Sequence, residues 1–181
     1  DIALWDIVGK RAGLPLYRLW GKCRDSVPAY GSGCWRGLGR DGMIDRAKHF
    51  TGMGMTAIKM QVAHIRPWRE DVKNVLAMRD ALGPDIEIMI DVNMGWTADT
   101  AIQAGHRIDE ADPYWLEEPV VCEDFEGYRR VAAALKTRVV GGETHVTRYD
   151  MRPFFIQPST PILQPDMMRG GLTELRKIAA I

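Results

Sequence analysis

Cysteine is scarce in this 181-residue chain: Cys23, Cys34 and Cys122 are the only three, and no two stand in a C-x-x-C spacing. A scattered, odd set excludes a disulfide framework and a structural zinc site, and points to a reducing compartment such as the cytoplasm. Long apolar runs are lacking too, since none reaches the ~18 residues that a membrane-spanning helix needs. There is no excess of charge of either sign, with 24 Lys and Arg against 24 Asp and Glu. A protein of nucleic acid or membrane surfaces would carry a basic excess, so neither is an expected partner. Glycine and proline, at 18 and 10 residues, are too few for a collagen-like or low-complexity chain.

What is present suits one globular domain. Apolar residues make up 46% of the chain, enough for a substantial core. The first segment, residues 1–26, reads as a connecting helix and lead-in: Ile2, Leu4, Trp5 and Val8 fall at helical spacing before the break at Gly13-Leu14-Pro15. From residue 27 to 181 the chain alternates short apolar runs with helical patterns. The expected strands are Val27–Gly31, Ala57–Val62, Ile86–Val92, Tyr114–Glu118, Arg138–Gly142 and Pro161–Gln164. The expected helices are about Gly42–Met53, Arg69–Leu82, Ala98–Glu110, Phe125–Leu135 and Arg148–Ile156, with a last one starting near Leu172. Near-continuous apolar strands such as "IEIMID" are typical of parallel strands buried on both faces, joined by right-handed crossovers.

Two α/β architectures satisfy that rhythm, a doubly wound open sheet and a (β/α)8 barrel of the TIM type. Polar residues separate them. Lys59 and Gln61 lie on the second strand, Asp91 ends the third and Glu117 the fourth, Glu143 follows the fifth and Asp166 the sixth. One polar group per βα unit is the pattern of a barrel mouth, whereas an open sheet gathers its ligands at one switch point. "GSGCWRG", expected to follow the first strand, is also a poor dinucleotide-binding turn. A barrel takes eight strands and ~250 residues. The expectation is therefore about six of eight units, with the last strands, and any domain before Asp1, lying in a longer protein. An open six-stranded sheet has exposed parallel edges, so the missing strands should come from another segment or chain, and a homo-oligomer is expected.

Three carboxylates carry the chemistry. Asp91, Glu117 and Glu143 come from consecutive strands at equal spacing, and neighbouring strands lie ~4.8 Å apart. Carboxylates brought to one height would repel and raise one another's pKa unless a cation joins them. An all-oxygen ligand set favours Mg2+ over zinc, with Mn2+ as a substitute. Lys59, between Ile58 and Met60, would face the same interior and neutralise a substrate carboxylate or move a proton, its pKa lowered by nearby positive charge. Gln61, two residues on, points the same way; it can hydrogen-bond a substrate but cannot act as a base. His145, two residues after Glu143, is a candidate for substrate contact.

In "ALWDIVGKRAGLPLYRLWG", "AIKMQV", "IDVN", "WLEEP", "GGETH" and "LQPDMMRGG", taken in order, the chain resembles the enolase superfamily, in its mandelate racemase/muconate lactonizing branch. The resemblance implies Mg2+-dependent abstraction of the proton alpha to a carboxylate, through an enediolate. It implies metal ligation by Asp91, Glu117 and Glu143, with Glu118 behind them, and a polar contact from Asn93. Lys59 matches the first lysine of the family's Lys-x-Lys motif, while Gln61 replaces the second, which puts two-base racemisation in doubt. Asp166 matches the Asp of an Asp–His dyad, whose His would follow Ile181. The resemblance also implies an N-terminal capping domain that is not in this stretch. Dehydration of a sugar acid or other 2-hydroxy acid is the expected reaction. A racemase, epimerase or cycloisomerase, or a non-catalytic fragment, are the alternatives.

Overall fold

The computed structural model describes residues 1–157 and 160–181. Two helices, α1 (Ile2–Ala12) and α2 (Leu16–Leu19), lead into a six-stranded parallel sheet in sequential order: β1 (Gly31–Cys34), β2 (Ala57–Gln61), β3 (Glu87–Asp91), β4 (Trp115–Glu117), β5 (Arg138–Gly141) and β6 (Ile162–Leu163). Between and after them run α3 (Gly39–Gly52), α4 (Trp68–Leu82), α5 (Ala98–Ile108), α6 (Phe125–Ala134), α7 (Arg152–Ile156) and α8 (Met167–Ile178). Among the described residues no helix is long and apolar enough to cross a membrane.

The two faces of the sheet differ. One carries Ile58, Met60, Ile88, Ile90, Leu116 and Val139, which pack with the inward stripes of the helices, such as Val72, Val75 and Met78 of α4 and Ala101, Ala104 and Ile108 of α5. The other carries a small separate cluster of Ala57, Met89, Trp115 and Val140, with no helical residue in it. Helices on one face only, with each strand placed beside its predecessor, is the winding of a barrel wall rather than of a doubly wound sheet. Residue alternation then sends Lys59, Gln61, Asp91 and Glu117 to the helix-free face together with that cluster. The local signals agree with the long-range packing. Thr97 caps α5 by accepting from the Thr100 amide, and the Asp124 carboxylate caps α6 by accepting from the Gly127 amide at 2.8 Å.

The first strand lies later than its composition suggests. Val27 has the higher strand propensity, yet it is 69% exposed, and ladder pairing begins only at Gly31, opposite Ile58. The reason is the Phe50 ring of α3. It lies against the strand so closely that a Cβ at Gly31 would stand 2.4 Å from its Cγ. The glycines of "GSGC" are thus a strand under an aromatic ring, not a turn. Helix α7 is shorter than its pattern, because Asp150 accepts from the Thr147 amide at 2.9 Å and holds that stretch as a turn. In α8, Gly171 leaves helical geometry at φ 77°, so the regular run begins at Leu172 as expected, after one extra turn from Met167.

Candidate metal and substrate site

Register brings the expected residues together at the C-terminal ends of the strands. Gln61 is paired with Asp91 across β2 and β3, and Asp91 with Glu117 across β3 and β4. Glu143 is not in that row, where β5 places Val140 opposite Glu117. It follows β5 in a turn that Gly142 makes possible with φ 116°. A cavity of about 220 Å3 opens here, and Lys59, Gln61, Asp91, Asn93 and Glu143 all line it.

Glu117 is fully buried. Its carboxylate accepts from Lys59 Nζ at 2.8 Å, Trp115 Nε1 at 3.0 Å and Gln164 Nε2 at 3.1 Å. The sequence reading anticipated three converging carboxylates. Among the described residues, however, no three acidic, His or Cys side chains stand close enough to hold an ion. Glu117 instead commits its carboxylate oxygens to the lysine, the indole and the amide. The donor set nevertheless suits a hard divalent cation. It is all oxygen, and Asp91 Oδ1 is buried with no partner, while Oδ2 accepts from Gln61 at 3.3 Å. Burial, then the charge of Glu117, pushes the Asp91 carboxyl above its usual range. Burial, then Glu117 and Asp91, does the same to Glu143, with Lys59 and then Arg169 acting in opposition.

Lys59 departs from its expected state. Burial draws its pKa down, but the charge and hydrogen bond of Glu117 outweigh this and leave the pKa above the ordinary lysine value. The ion pair with Glu117 thus favours its ammonium form.

Glu118, just past β4 with φ 41°, is fully buried; Thr144 Oγ1 donates to its Oε1 at 2.9 Å and Oε2 has no partner. Burial pushes its pKa up to about 7. An acid with a raised folded pKa binds its proton more tightly when folded. Its stabilising contribution is therefore complete below the unfolded value and declines as pH rises through about 7. Stability of the metal-free protein should fall by about 3 kcal/mol on this account between pH 4 and 8. Glu118→Gln should flatten that fall in urea titrations with chelator, and an unchanged pH slope would refute the assignment.

His145 does not reach the cavity. Its ring packs between Phe125 and Phe154, with centroids at 5.5 and 5.3 Å, because the turn after Glu143 directs it into the aromatic layer of α6 and α7. Burial lowers its pKa. Asp166 caps α8, its Oδ1 accepting from the Met168 amide at 2.8 Å, and its Oδ2 makes no hydrogen bond among the described residues. Two residues escaped the sequence reading. Gln164 reaches Glu117 from the end of β6, and strand alternation from Ile162 could have flagged it. Arg36, just after β1, donates to both Gln61 and Asn93; a cation at the end of the first strand was its signal.

The fold and site define a parallel barrel-type domain with acidic residues at the strand ends. The chain belongs to the enolase superfamily, in its mandelate racemase/muconate lactonizing branch: residues 42–181 match the family model described as enolase C-terminal domain-like. It is 38% identical over 183 residues to 3,6-anhydro-alpha-L-galactonate cycloisomerase of Streptomyces coelicolor, which covers all of this chain and 50% of that protein. It is 36% identical over 180 residues to L-talarate/galactarate dehydratase of Salmonella typhimurium, which covers 98% of this chain and 45% of that protein. A racemase from Streptomyces coelicolor, solved with bound magnesium, superposes with a TM-score of 0.93 at 38% identity, over 99% of this chain and 50% of its own. The chain thus spans about half the length of the curated relatives it matches.

Proposed function

We propose that this chain forms most of the barrel of a Mg2+-dependent enzyme that removes the proton alpha to a carboxylate and dehydrates a sugar acid or related 2-hydroxy acid. The observation that carries this reading is the cavity at the strand ends, lined by Lys59, Gln61, Asn93, Asp91 and Glu143. The names of several relatives support it, among them a dehydratase of L-talarate and galactarate. Two further barrel units and a capping domain would lie in the rest of the protein.

Asp91, Glu117 and Glu143 would hold Mg2+ or Mn2+, which when bound neutralises charge developing on a substrate carboxylate. The chain's own residues do the remainder. Lys59, kept protonated by Glu117, offers a fixed positive charge to an anionic oxygen. Gln61 and Asn93 offer hydrogen bonds and no base. With Gln61 in this position, proton removal falls to a group on one side of the substrate. Asp166, whose Oδ2 makes no hydrogen bond among the described residues, would orient a histidine supplied by another part of the protein. One-sided chemistry suits elimination of water better than racemisation. Cycloisomerisation through the same intermediate is the second reading, favoured by the likeness to the Streptomyces coelicolor cycloisomerase.

A panel of sugar acids, incubated with the full-length protein and Mg2+, tests the proposal. Formation of 2-keto-3-deoxy acids is the expected result. An epimer or a rearranged lactone as the sole product would overturn dehydration, and no turnover of any acid would overturn the enzyme reading.

A further inference from the structure

Gln61 and Asn93 are ambivalent groups. Each amide carries an acceptor and a two-proton donor of nearly equal shape, and either end could face the cavity. One side chain selects between them. Arg36 Nε donates to Gln61 Oε1 at 3.3 Å, and Arg36 Nη2 donates to Asn93 Oδ1 at 3.2 Å. Both amide oxygens are thereby engaged by a single guanidinium, which is always charged and has no acceptor to offer. Gln61 Nε2 turns to Asp91 Oδ2 at 3.3 Å, and the Asn93 amide NH2 is left uncommitted. A flip of Gln61 would set an oxygen against the Asp91 carboxylate and strand the guanidinium.

Arg36 is itself held. Arg66 Nη1 donates to the Arg36 carbonyl oxygen at 3.0 Å. Behind both arginines lies the carboxylate of Asp71, buried and anchored by the Ala63 amide at 3.0 Å, close enough to feel both positive charges. The loop after β2 is locked to the loop after β3 by His64 Nε2, 2.8 Å from the Asn93 carbonyl oxygen. Ala63, His64, Asn93 and Met94 all adopt positive φ, so the backbone on either side of this contact is strained and over-determined by its neighbours.

We infer that Arg36 is a positioning residue that turns the Gln61 and Asn93 amides into a donor-only pair, preorganised for anionic oxygens of a planar, enediolate-like ligand. This rests on the proposed function for the kind of ligand, but the amide polarity is a property of the chain itself. The guanidinium takes up the two amide acceptors, so the cavity wall presents hydrogen-bond donors and the Lys59 ammonium to a bound oxyanion.

Oxalate, a planar dianion, is the probe. Its binding to the Mg2+-loaded full-length protein would be measured by calorimetry alongside Mg2+ binding alone, for wild type, Arg36→Met, Gln61→Met and the double variant. Arg36→Met should weaken oxalate about 10- to 100-fold while Mg2+ affinity changes by less than about 2-fold. The double variant should bind oxalate no worse than the weaker single variant, because Arg36 acts through Gln61 and Asn93. Arg36→Lys keeps the charge but not the two-point fork, and should not restore binding. Additive losses, or full rescue by lysine, would overturn the inference. The second readout needs neither metal nor ligand: the Gln61 side-chain NH2 resonances should shift in Arg36→Met. Unshifted resonances would overturn the positioning role. Should wild-type protein bind no oxalate, the proposed function fails, and the NMR shift still decides the role of Arg36.

Discussion

Asp91→Asn should leave the full-length protein folded and remove at least about 10³-fold of its turnover, together with the stabilisation that Mg2+ confers. The side chain keeps its shape and loses its charge. In the metal-free protein that charge is a burden, since burial and Glu117 hold the Asp91 carboxyl above its usual range and Oδ1 has no partner. Its melting temperature without metal should therefore stay level or rise slightly. In wild type, millimolar Mg2+ should raise the melting temperature by binding only the folded state. In Asp91→Asn that rise should vanish. A variant that melts like wild type in both conditions would remove Asp91 from the ligand set. Glu143→Gln should behave alike. Loss of turnover combined with a normal Mg2+ response would instead point to a role toward substrate alone.

The second large effect is on stability. Lys59 and Glu117 form an ion pair at 2.8 Å, with the Glu117 side chain wholly buried and the Lys59 side chain 13% exposed. Lys59→Met should destabilise the protein by about 3–5 kcal/mol, because it leaves a buried carboxylate without its counter-charge. Trp115 and Gln164 still donate to Glu117, which places the expected value toward the lower end. Combining Lys59→Met with Glu117→Gln should recover most of the loss, since the remaining amide carries no charge. The sign with pH follows from the direction of the Lys59 pKa, which lies above the ordinary value. Its contribution is fully present at neutral pH and is lost only as pH rises through that raised value. Urea titrations at pH 7 check this. A loss under about 1 kcal/mol, or a double variant no better than the single, would show that the pair is not what holds Glu117.

Much of the framework was legible from local pattern. Strands β2 to β6 all lie within their expected spans, since runs such as "IEIMID" can be satisfied only by burial on both faces. The first strand was not legible. Its position depends on how near the Phe50 ring approaches the backbone, and no propensity carries that contact. His145 misled because period-two alternation was extended past Gly142, where the positive φ ends the strand geometry.

The candidate site divides along the same line. Residue type and spacing alone determined that Lys59, Gln61 and Asp91 would gather at the strand ends and that position 61 has no base. Those are properties of side-chain chemistry and of a repeating βα unit. The tertiary structure decided what the groups do to one another. It paired Glu117 with Lys59, which raises the lysine pKa where the sequence reading expected it lowered. It also brought Arg36 across 25 residues of chain to Gln61 and across 57 to Asn93. Charge–charge and hydrogen-bond energies depend on distances and orientations of an ångström or less, which only the packed chain specifies.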